Sequence, residues 1–507
     1  MRANPLLPGF HPDPSMCRVG DDFYLVTSTF EYFPGLPIYH SRDLSNWTLI
    51  GHAIHDRDQV DFEGVKGSGG MFAPTLRYHE GTFFLVCTLM HGRGRRGSFV
   101  ITASDPAGPW SEPAWLDDAP GIDPSLFFDD DGTCWYTGCE LNPVPGAPEQ
   151  TDIWLQRFDP AAARFVGERT VISHGVLRGA RWAEGPHLYR VDGEYVLLHA
   201  EGGTERAHAV MVSKASAVTG PYVPHAANPV LTHRHLGRSE PVYGVGHADL
   251  FDDADGRWWA VALAMQTYDG AHHVRGRETV IVPVEWEDGW PVFAPGAGRV
   301  PALVELPALA QDSPWRGRAH IDAHEAPDGS WVQLRTGAPF WGHGPSGLTL
   351  RATGSVLTDR STPAFLCHRL LTEAARIEVR IAETAPAPAT TGLALYQSER
   401  FHIVAGVRRA GAECSLVVET VADGQTVETL TASARPSDAV TVTVDIDRSS
   451  ATARVVAGDT VVEAPLDLTV LSTERAGGFV GTMLGPVIVA DEEGPAALFT
   501  RVSIEPR

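Results

Sequence analysis

Short runs of β-forming and aromatic residues recur along the first three hundred positions, each behind a tight-turn signal. Four of the five turns carry an Asp-Gly or Glu-Gly pair, which is a strong hairpin signal when β-formers follow. The runs are DDFYLV from Asp21, EGTFFLV from Glu80, DGTCWY from Asp131, DGEYVLL from Asp192 and DGRWWAV from Asp255. Their second turn residues, Asp22, Gly81, Gly132, Gly193 and Gly256, are 59, 51, 61 and 63 positions apart. Such regular units of short strands predict a five-bladed β-propeller over residues 1–300.

A different pattern occupies the C-terminal part of the chain. After a Pro-rich passage, interpreted as a linker at 301–315, apolar and polar residues alternate in segments such as RIEVRIAE and VTVTVDID. Alternation of period two indicates antiparallel strands with one buried face. We therefore predict a β-sandwich domain over residues 316–507, which makes the fold class all-β.

Composition and charge narrow the partners. The chain has 507 residues and a formal net charge of −23 at pH 7, a balance that argues against nucleic acid or an anionic membrane as a partner. The N-terminal residues MRANPLLPGF lack the apolar core of a signal peptide, so we expect a cytoplasmic protein. Six scattered cysteines without metal-type spacing are expected to be reduced core residues.

One position recurs nine residues before each of the five turns. Each of these residues opens the strand expected to be innermost in its blade, so all five side chains should converge near the propeller axis. A single Asp beside a proline would be interpreted as a turn residue, and a single His as a buried core residue. Three carboxylates and a histidine at equivalent positions instead predict a functional site formed by Asp13, Phe72, Asp123, Glu184 and His247.

Converging carboxylates repel one another, and burial adds to that repulsion, so at least one pKa should rise toward neutrality. A protonated acid opposite an ionised base is the apparatus of glycoside hydrolysis, and the many aromatic residues suit the apolar faces of a sugar. Two alternatives stay open at this point. The carboxylates and His247 could bind a divalent cation, or the propeller could bind carbohydrate without catalysis.

Several long motifs resemble glycoside hydrolase family 43, in the branch of β-xylosidases and α-L-arabinofuranosidases. They are NPLLPGFHPDPS, DDFYLVTSTFEYFPGLPIYHSRDLSNW, GIDPSLFFDDDG, AEGPHLY, YGVGHADLF and GRET. The resemblance implies a five-bladed propeller followed by a concanavalin-like jelly-roll sandwich. It also implies an exo-acting enzyme that inverts the anomeric carbon and releases single pentoses from the non-reducing end of xylo-oligosaccharides. An α-L-arabinofuranosidase, or a bifunctional enzyme on arabinose-substituted oligosaccharides, is the close alternative.

The same resemblance implies roles for individual residues. Asp13 would be the general base, Glu184 the general acid, and Asp123 the residue that raises the pKa of the acid and orients it. Inversion needs space for a water molecule, so the carboxyl groups of Asp13 and Glu184 should stand about 6.5–9.5 Å apart. Arg277 and Phe30 would contact the sugar. No cofactor is required, but His247 matches a histidine that in some members binds calcium directly or through water, and homo-oligomers are left open.

Two departures from the family pattern bear on sugar specificity. Where many relatives have Trp-Ala-Pro-Asp, this chain has Phe72-Ala73-Pro74-Thr75, which gives Phe72 a smaller ring in the pocket wall and removes an acidic residue. In the sandwich, the segment GGFVGTMLG falls where relatives offer an aromatic side chain to the site. We expect Met483 or Leu484 to occupy that place here.

Overall fold

The computed structural model describes residues 2–177, 179, 181–306, 318–385, 388–411, 413–435 and 439–507. The predicted linker is described only as far as residue 306, and the predicted start of the second domain at 316 lies outside the described residues. Strands dominate the described residues, and the helical segments among them are a 3₁₀ turn at Leu468–Leu471 and one turn of α-helix at Thr473–Ala476. None of the helices described is long and apolar enough to cross a membrane.

Five antiparallel sheets follow one another along the described N-terminal part and confirm the predicted propeller. Blade 1 comprises Ser15–Val19, Asp22–Val26, Gly35–Ser41 and Thr48–Ile54. Blade 2 comprises Gly70–Met71, Thr75–His79, Thr82–Met90, Gly97–Ala103 and Ala114–Leu116. Blade 3 comprises Ile122–Phe128, Cys134–Leu141, Thr151–Asp159 and Arg164–Ser173. Blade 4 comprises Glu184–Val191, Glu194–Glu201, Ala209–Ala215 and Val223–Pro224, and blade 5 comprises Val242–Asp252, Trp258–Gln266, Glu278–Glu287 and Trp290–Phe293.

The predicted turns are present in all five blades, with one shift of register. Gly81, Gly132, Gly193 and Gly256 are second turn residues with φ between +77° and +84°, a conformation that glycine adopts without steric cost. In blade 1 the turn is Gly20–Asp21, one residue before the predicted position, and Asp22 already begins the next strand. Blade 1 has no β-bulge in its inner strand pair, whereas the corresponding pairs of blades 3, 4 and 5 do, and a bulge adds one residue.

The N-terminal segment closes the propeller on its last blade. Arg2–Ala3 pairs with Leu303–Val304, and Leu7 bridges to Thr279 in blade 5. The Asn4 side-chain amide donates to the carbonyls of Ile281 and Pro301 at 3.0 and 2.8 Å. This closure leads the chain directly to the axis, where Asp13 lies before the first strand of blade 1.

The C-terminal domain is the predicted sandwich, and its described strands form two eight-stranded sheets. One sheet contains Ala319–Asp322, Trp341–Gly344, Gly347–Thr353, Ala374–Glu383, Val440–Asp447, Ser450–Ala457, Thr460–Asp467 and Glu493–Pro506. The other contains Val332–Leu334, Ala364–Arg369, Ala389–Ser398, Phe401–Ala410, Glu413–Ala422, Gln425–Ser433, Met483–Val489 and a short strand from the propeller, Tyr32–Phe33. Their inward-facing Val, Leu, Ile and Ala side chains form one continuous apolar core.

The two domains are joined by main-chain hydrogen bonding. Tyr32–Phe33, from the loop that follows the second strand of blade 1, pairs antiparallel with Val332–Leu334 at the edge of a sandwich sheet. The guanidinium of the buried Arg369 donates to the Phe10 carbonyl at 2.8 Å, and the Thr482 amide donates to the Val274 carbonyl at 2.9 Å. The sandwich is therefore fixed against the propeller beside the open end of the axis.

All six cysteines are buried and none is in a disulfide, as their scattered positions predicted.

Candidate active site

Seven of the side chains singled out from the sequence line one pocket of about 340 Å³. The pocket lies where the inner strands of the five blades meet. The seven residues are Asp13, Phe30, Phe72, Asp123, Glu184, His247 and Arg277. The inference that the five equivalent positions converge is therefore confirmed by the geometry, while the catalytic roles assigned to them stay predictions.

Unusual backbone geometry directs these side chains into the pocket. Asp13, Asp123 and His247 adopt φ values of +52°, +56° and +50°, in the left-handed region that non-glycine residues seldom occupy. The inner strands of blades 3, 4 and 5 each carry a β-bulge at or directly beside the pocket residue. Bulges re-aim side chains, and left-handed residues of this kind cluster at functional sites.

Asp13 is held by a cation and a hydroxyl. The Arg277 guanidinium donates to Asp13 Oδ1 at 3.0 Å and to Oδ2 at 3.5 Å, and the Ser28 hydroxyl donates to Oδ2 at 2.5 Å. His247 Nδ1 stands 4.0 Å from Asp13 Oδ1. Both oxygens of this carboxylate therefore accept hydrogen bonds from neighbouring donors, one of which is a cation.

Asp123 and Glu184 experience the opposite environment. Burial raises the pKa of Glu184 well above its usual range, and the negative charges of Asp123 and Asp13 raise it further, against the opposing effect of Arg277. Burial also raises the pKa of Asp123 to about 6, with His247 opposing and Asp13 adding to the rise, while the Gly185 amide donates to Asp123 Oδ2 at 3.0 Å. This environment therefore favours the protonated form of Glu184, which is the form that can donate a proton.

Three phenylalanines form one wall of the pocket. The Phe30 ring lies 5.3 Å from Phe72 and 5.7 Å from Phe479, and Phe72 lies 6.2 Å from Phe479. The Arg277 guanidinium carbon stands 5.4 Å from the Phe30 ring and 5.1 Å from that of Phe479, and Arg277 Nε donates to the Phe479 carbonyl at 3.2 Å. Such an apolar surface next to a charged donor suits a sugar ring.

Phe479 belongs to the sandwich. The expectation that Met483 or Leu484 would be the residue that this domain offers to the pocket is wrong. Met483 and Leu484 do not line the pocket; both are fully buried, at the start of the strand Met483–Val489. Phe479 lies in the loop before that strand, free of the sheet register that turns Met483 and Leu484 into the core. An aromatic residue directly after a Gly-Gly pair was the available signal.

The partly exposed rim of the pocket contains residues that the sequence did not indicate. Arg181 and Glu149 form an ion pair with Nη1 and Oε2 2.9 Å apart, and Trp182 stands beside them with a φ of +52°. Thr204, from blade 4, accepts a hydrogen bond from Arg277 Nη1 at 3.2 Å. The position of Arg181 and Trp182 directly before Ala183 and Glu184 was the signal, because residues adjacent to an inward-facing acid lie near the mouth.

The calcium alternative can be tested against the donor groups present. Within the described part of the chain, no three His, Cys, Asp or Glu side chains are placed to hold one metal ion. His247 faces Asp13, and the carboxylate of Asp13 is occupied by Arg277. The described side chains around His247 therefore form no three-ligand metal site of this kind, and calcium bound by His247 directly or through water stays a prediction.

The family model described as Glycosyl hydrolases family 43 matches residues 2–291. The chain belongs to glycosyl hydrolase family 43. A second model, described as Beta xylosidase C-terminal Concanavalin A-like domain, matches residues 323–505 and confirms the class of the sandwich. The protein is accordingly a glycosidase, and its substrate is a carbohydrate.

Relatives of this family 43 enzyme resemble it over both domains. A xylosidase/arabinosidase of Butyrivibrio fibrisolvens is 38% identical over 497 residues, covering 95% of this chain and 94% of the relative. A non-reducing end alpha-L-arabinofuranosidase of Bacteroides ovatus is 40% identical over 372 residues, covering 72% of this chain and 68% of the relative. Among solved structures, a xylan beta-1,4-xylosidase from Bacillus halodurans superimposes with a TM-score of 0.91 at 31% identity, with 100% of both chains covered.

Proposed function

We propose that this enzyme is an exo-acting, inverting β-D-xylosidase that releases single xylose units from the non-reducing end of xylo-oligosaccharides. The observation that carries the proposal is the contrast between the surroundings of two carboxyl groups that line one pocket. Asp13 is paired with Arg277, whereas burial and two neighbouring carboxylates hold the pKa of Glu184 well above its usual range. One group is thus prepared as a base and the other as an acid.

In the proposed reaction, a water molecule loses its proton to Asp13 as its oxygen attacks the anomeric carbon. Glu184 gives its proton to the glycosidic oxygen, so the leaving sugar departs as a neutral alcohol. Asp123 keeps the pKa of Glu184 high, and its carboxylate holds the Gly185 amide next to the acid. Because water attacks from the face opposite the leaving group, the product forms with inverted configuration.

The shape of the pocket supports exo action. The wall formed by Phe30, Phe72 and Phe479 closes one end, and Arg277 lies across two of these rings. A polysaccharide chain cannot pass through a closed end, so only a terminal sugar can enter. The next sugar would then lie at the partly exposed rim, near Trp182 and the Arg181–Glu149 ion pair.

An α-L-arabinofuranosidase, alone or in a bifunctional enzyme, is the second candidate. Phe72, whose ring is smaller than the Trp that many relatives have there, lines the wall expected to contact the terminal sugar, whereas Thr75 does not line the pocket. The names of the relatives from Butyrivibrio fibrisolvens and Bacteroides ovatus also include arabinosidase activity. Pyranose and furanose rings differ mainly in shape, so this wall decides between them.

Initial rates on 4-nitrophenyl β-D-xylopyranoside and 4-nitrophenyl α-L-arabinofuranoside test the proposal. Glu184→Ala serves as the inactive reference, and Glu168→Ala, on an exposed position of blade 3, serves as the matched control. A higher kcat/KM on the xyloside supports the main proposal, and a higher value on the arabinofuranoside supports the second candidate. Rates on both substrates no higher than those of Glu184→Ala would refute both assignments.

A further inference from the structure

A second ring of polar side chains surrounds the propeller axis directly beneath the pocket. Each blade contributes one residue, and none of them lines the pocket itself. We call this set the axial ring; its members are Ser15, Arg77, Ser125, His187 and Asp249.

The Arg77 guanidinium connects the members of the axial ring. It donates to Asp249 Oδ2 at 2.9 Å and Oδ1 at 3.1 Å, to Ser15 Oγ at 3.2 Å and to His187 Nδ1 at 3.0 Å. Ser15 Oγ donates to Asp249 Oδ2 at 2.8 Å, and Ser125 Oγ lies 3.0 Å from His187 Nδ1. Four donated hydrogen bonds from one planar cation therefore join side chains of blades 1, 4 and 5 to blade 2.

The axial ring contains one buried positive and one buried negative charge. The Arg77 side chain is 16% exposed and that of Asp249 is fully buried. Although burial alone would raise the pKa of Asp249, the adjacent Arg77 charge and its hydrogen bonds hold that pKa well below the usual range. Burial lowers the pKa of His187 to about 3, so its imidazole is neutral and accepts from Arg77 through Nδ1. Removing Arg77 would leave the Asp249 carboxylate buried without its cation, which is strongly unfavourable.

The axial ring is directly linked to the catalytic pocket through the inner strands. Ser15, Ser125 and Asp249 each follow a pocket residue by two positions, and His187 follows Glu184 by three, across the bulge of blade 4. Each strand is rigid over so short a distance. The separation between blades that the ring fixes is therefore transmitted to Asp13, Asp123, Glu184 and His247.

We propose that Arg77 is a positioning residue that serves as a built-in cation on the propeller axis, in the role that the calcium alternative would give to a metal ion. By holding the inner strands together, it sets the spacing of the base and the acid. The effect on turnover rests on the proposed glycosidase function, but the effect on the fold does not.

Chemical rescue of Arg77→Ala tests this role. We expect kcat on the aryl glycoside to fall by about 10- to 100-fold with a much smaller change in KM, since the carboxyl groups lose their alignment but the sugar contacts stay. The truncated side chain leaves space for a free guanidinium ion. Millimolar guanidinium chloride, far below denaturing concentrations, should restore part of both kcat and Tm.

Arg18→Ala is the matched control for that experiment. Arg18 also joins blade 1 to blade 5, with Nη2 3.1 Å from Asp252 Oδ2, but its side chain and that of Asp252 are 28% and 41% exposed and lie away from the axis. We expect a kcat close to that of the wild type and no response to guanidinium. If Arg77→Ala does not fold, Arg77→Lys replaces it. That variant keeps the positive charge but lacks the planar guanidinium that donates to several partners at once, so its kcat should lie below the wild-type value.

A chelator experiment on the wild-type protein completes the test. After EDTA treatment, kcat and Tm should stay unchanged, and added Ca²⁺ should change neither. The proposal is overturned if EDTA lowers Tm and Ca²⁺ restores it, or if guanidinium fails to raise the Tm of Arg77→Ala, whatever the substrate. A recovery of Tm without recovery of kcat in an otherwise active enzyme would overturn the positioning role. Absence of wild-type turnover on either aryl glycoside would instead refute the proposed function.

Discussion

Asp13 and Glu184 line the same pocket, but their carboxyl groups have different partners. Asp13 lies against a guanidinium and a hydroxyl, whereas burial and the negative charges of Asp123 and Asp13 raise the pKa of Glu184. Side-chain identity alone would not distinguish them. The division of roles is therefore a property of the surroundings, and it can be tested with single-atom changes.

Glu184→Gln should slow turnover in a way that depends on the leaving group. An oligosaccharide needs a proton on its leaving oxygen, so its kcat should fall by about 10²–10⁴-fold. A dinitrophenyl glycoside has a leaving group stable as an anion, and its kcat should fall far less. Asp13→Asn is the comparison, because loss of the base slows both substrates alike. Equal losses for both substrates in Glu184→Gln would contradict its role as the acid.

Asp123→Asn should move the alkaline limb of the pH profile of kcat to lower pH. Glu184 acts when protonated, and activity falls as pH rises through its pKa. The negative charge of Asp123 contributes to the raised pKa of Glu184, so removing that charge lowers this pKa and lets the acid ionise earlier. Profiles of the two proteins on one aryl glycoside measure the shift. A limb that stays in place or moves to higher pH would contradict the argument.

At the residue scale, the sequence located the site by position in a repeat. A constant offset from each predicted turn identified Asp13, Asp123, Glu184 and His247, because equivalent residues of radial repeats meet at one axis. Trp182 and Thr204 have no such periodicity. They enter the pocket through loop geometry, which a pattern of apolar and polar residues does not encode.

At the scale of elements, the β-bulge is the recurrent device of this propeller. Bulges in the inner strands of blades 3, 4 and 5 turn Asp123, Glu184 and His247 toward the pocket. Residues two or three positions later in the same strands belong to the axial ring. The length of each sequence repeat includes the extra residue of the bulge, but the sequence pattern does not reveal which residue forms the bulge. For that reason the turn of blade 1, which lacks a bulge, was predicted one residue too late.

The loop that carries Phe479 is the second element that determines the pocket. Its Phe479 amide donates to Ser68 Oγ at 2.7 Å, and the Ser68 amide donates to the buried Glu31 carboxylate at 2.9 Å. These bonds attach the loop to the propeller between blades 1 and 2. The ring of Phe479 is thereby held in the wall, although the residue belongs to the other domain.

Phe479→Ala should reduce kcat/KM by about tenfold, in line with the loss of ~1.4 kcal/mol of aromatic contact. The ring is only partly buried in the apolar cluster around it, so Tm should change little. Kinetics on the aryl glycoside and a thermal melt measure both effects. Trp341→Ala removes a 40% exposed ring from the sandwich and is the control. An unchanged kcat/KM in Phe479→Ala would place the sugar elsewhere in the pocket.

At the scale of the whole molecule, the two domains are not independent units. Alternating segments correctly indicated a sandwich after the propeller, because a half-buried strand has a clear period of two. The sequence could not indicate that Tyr32–Phe33 completes one of its sheets. Two residues are too short to show any period, and their partner lies about three hundred positions later.

Deletion of the chain after residue 306 should therefore abolish activity and lower solubility. The truncated chain loses Phe479 and exposes the strand Tyr32–Phe33 as an unpaired edge, together with the apolar surface around Phe10. Size-exclusion chromatography and the aryl glycoside assay test this, with full-length Phe479→Ala separating the lost ring from the lost fold. A monomeric, active truncated propeller would contradict the prediction.

The strand shared between the domains also has a consequence during protein synthesis. A ribosome delivers all five blades before it delivers the sandwich, so a nascent chain has its acid and base long before its pocket is walled. The edge at Tyr32–Phe33 stays unpaired until Val332–Leu334 has been translated, and the wall lacks Phe479 until a later part of the sandwich has been made. The propeller therefore carries its acid and base before the sandwich supplies the aromatic ring that completes the wall of the sugar site.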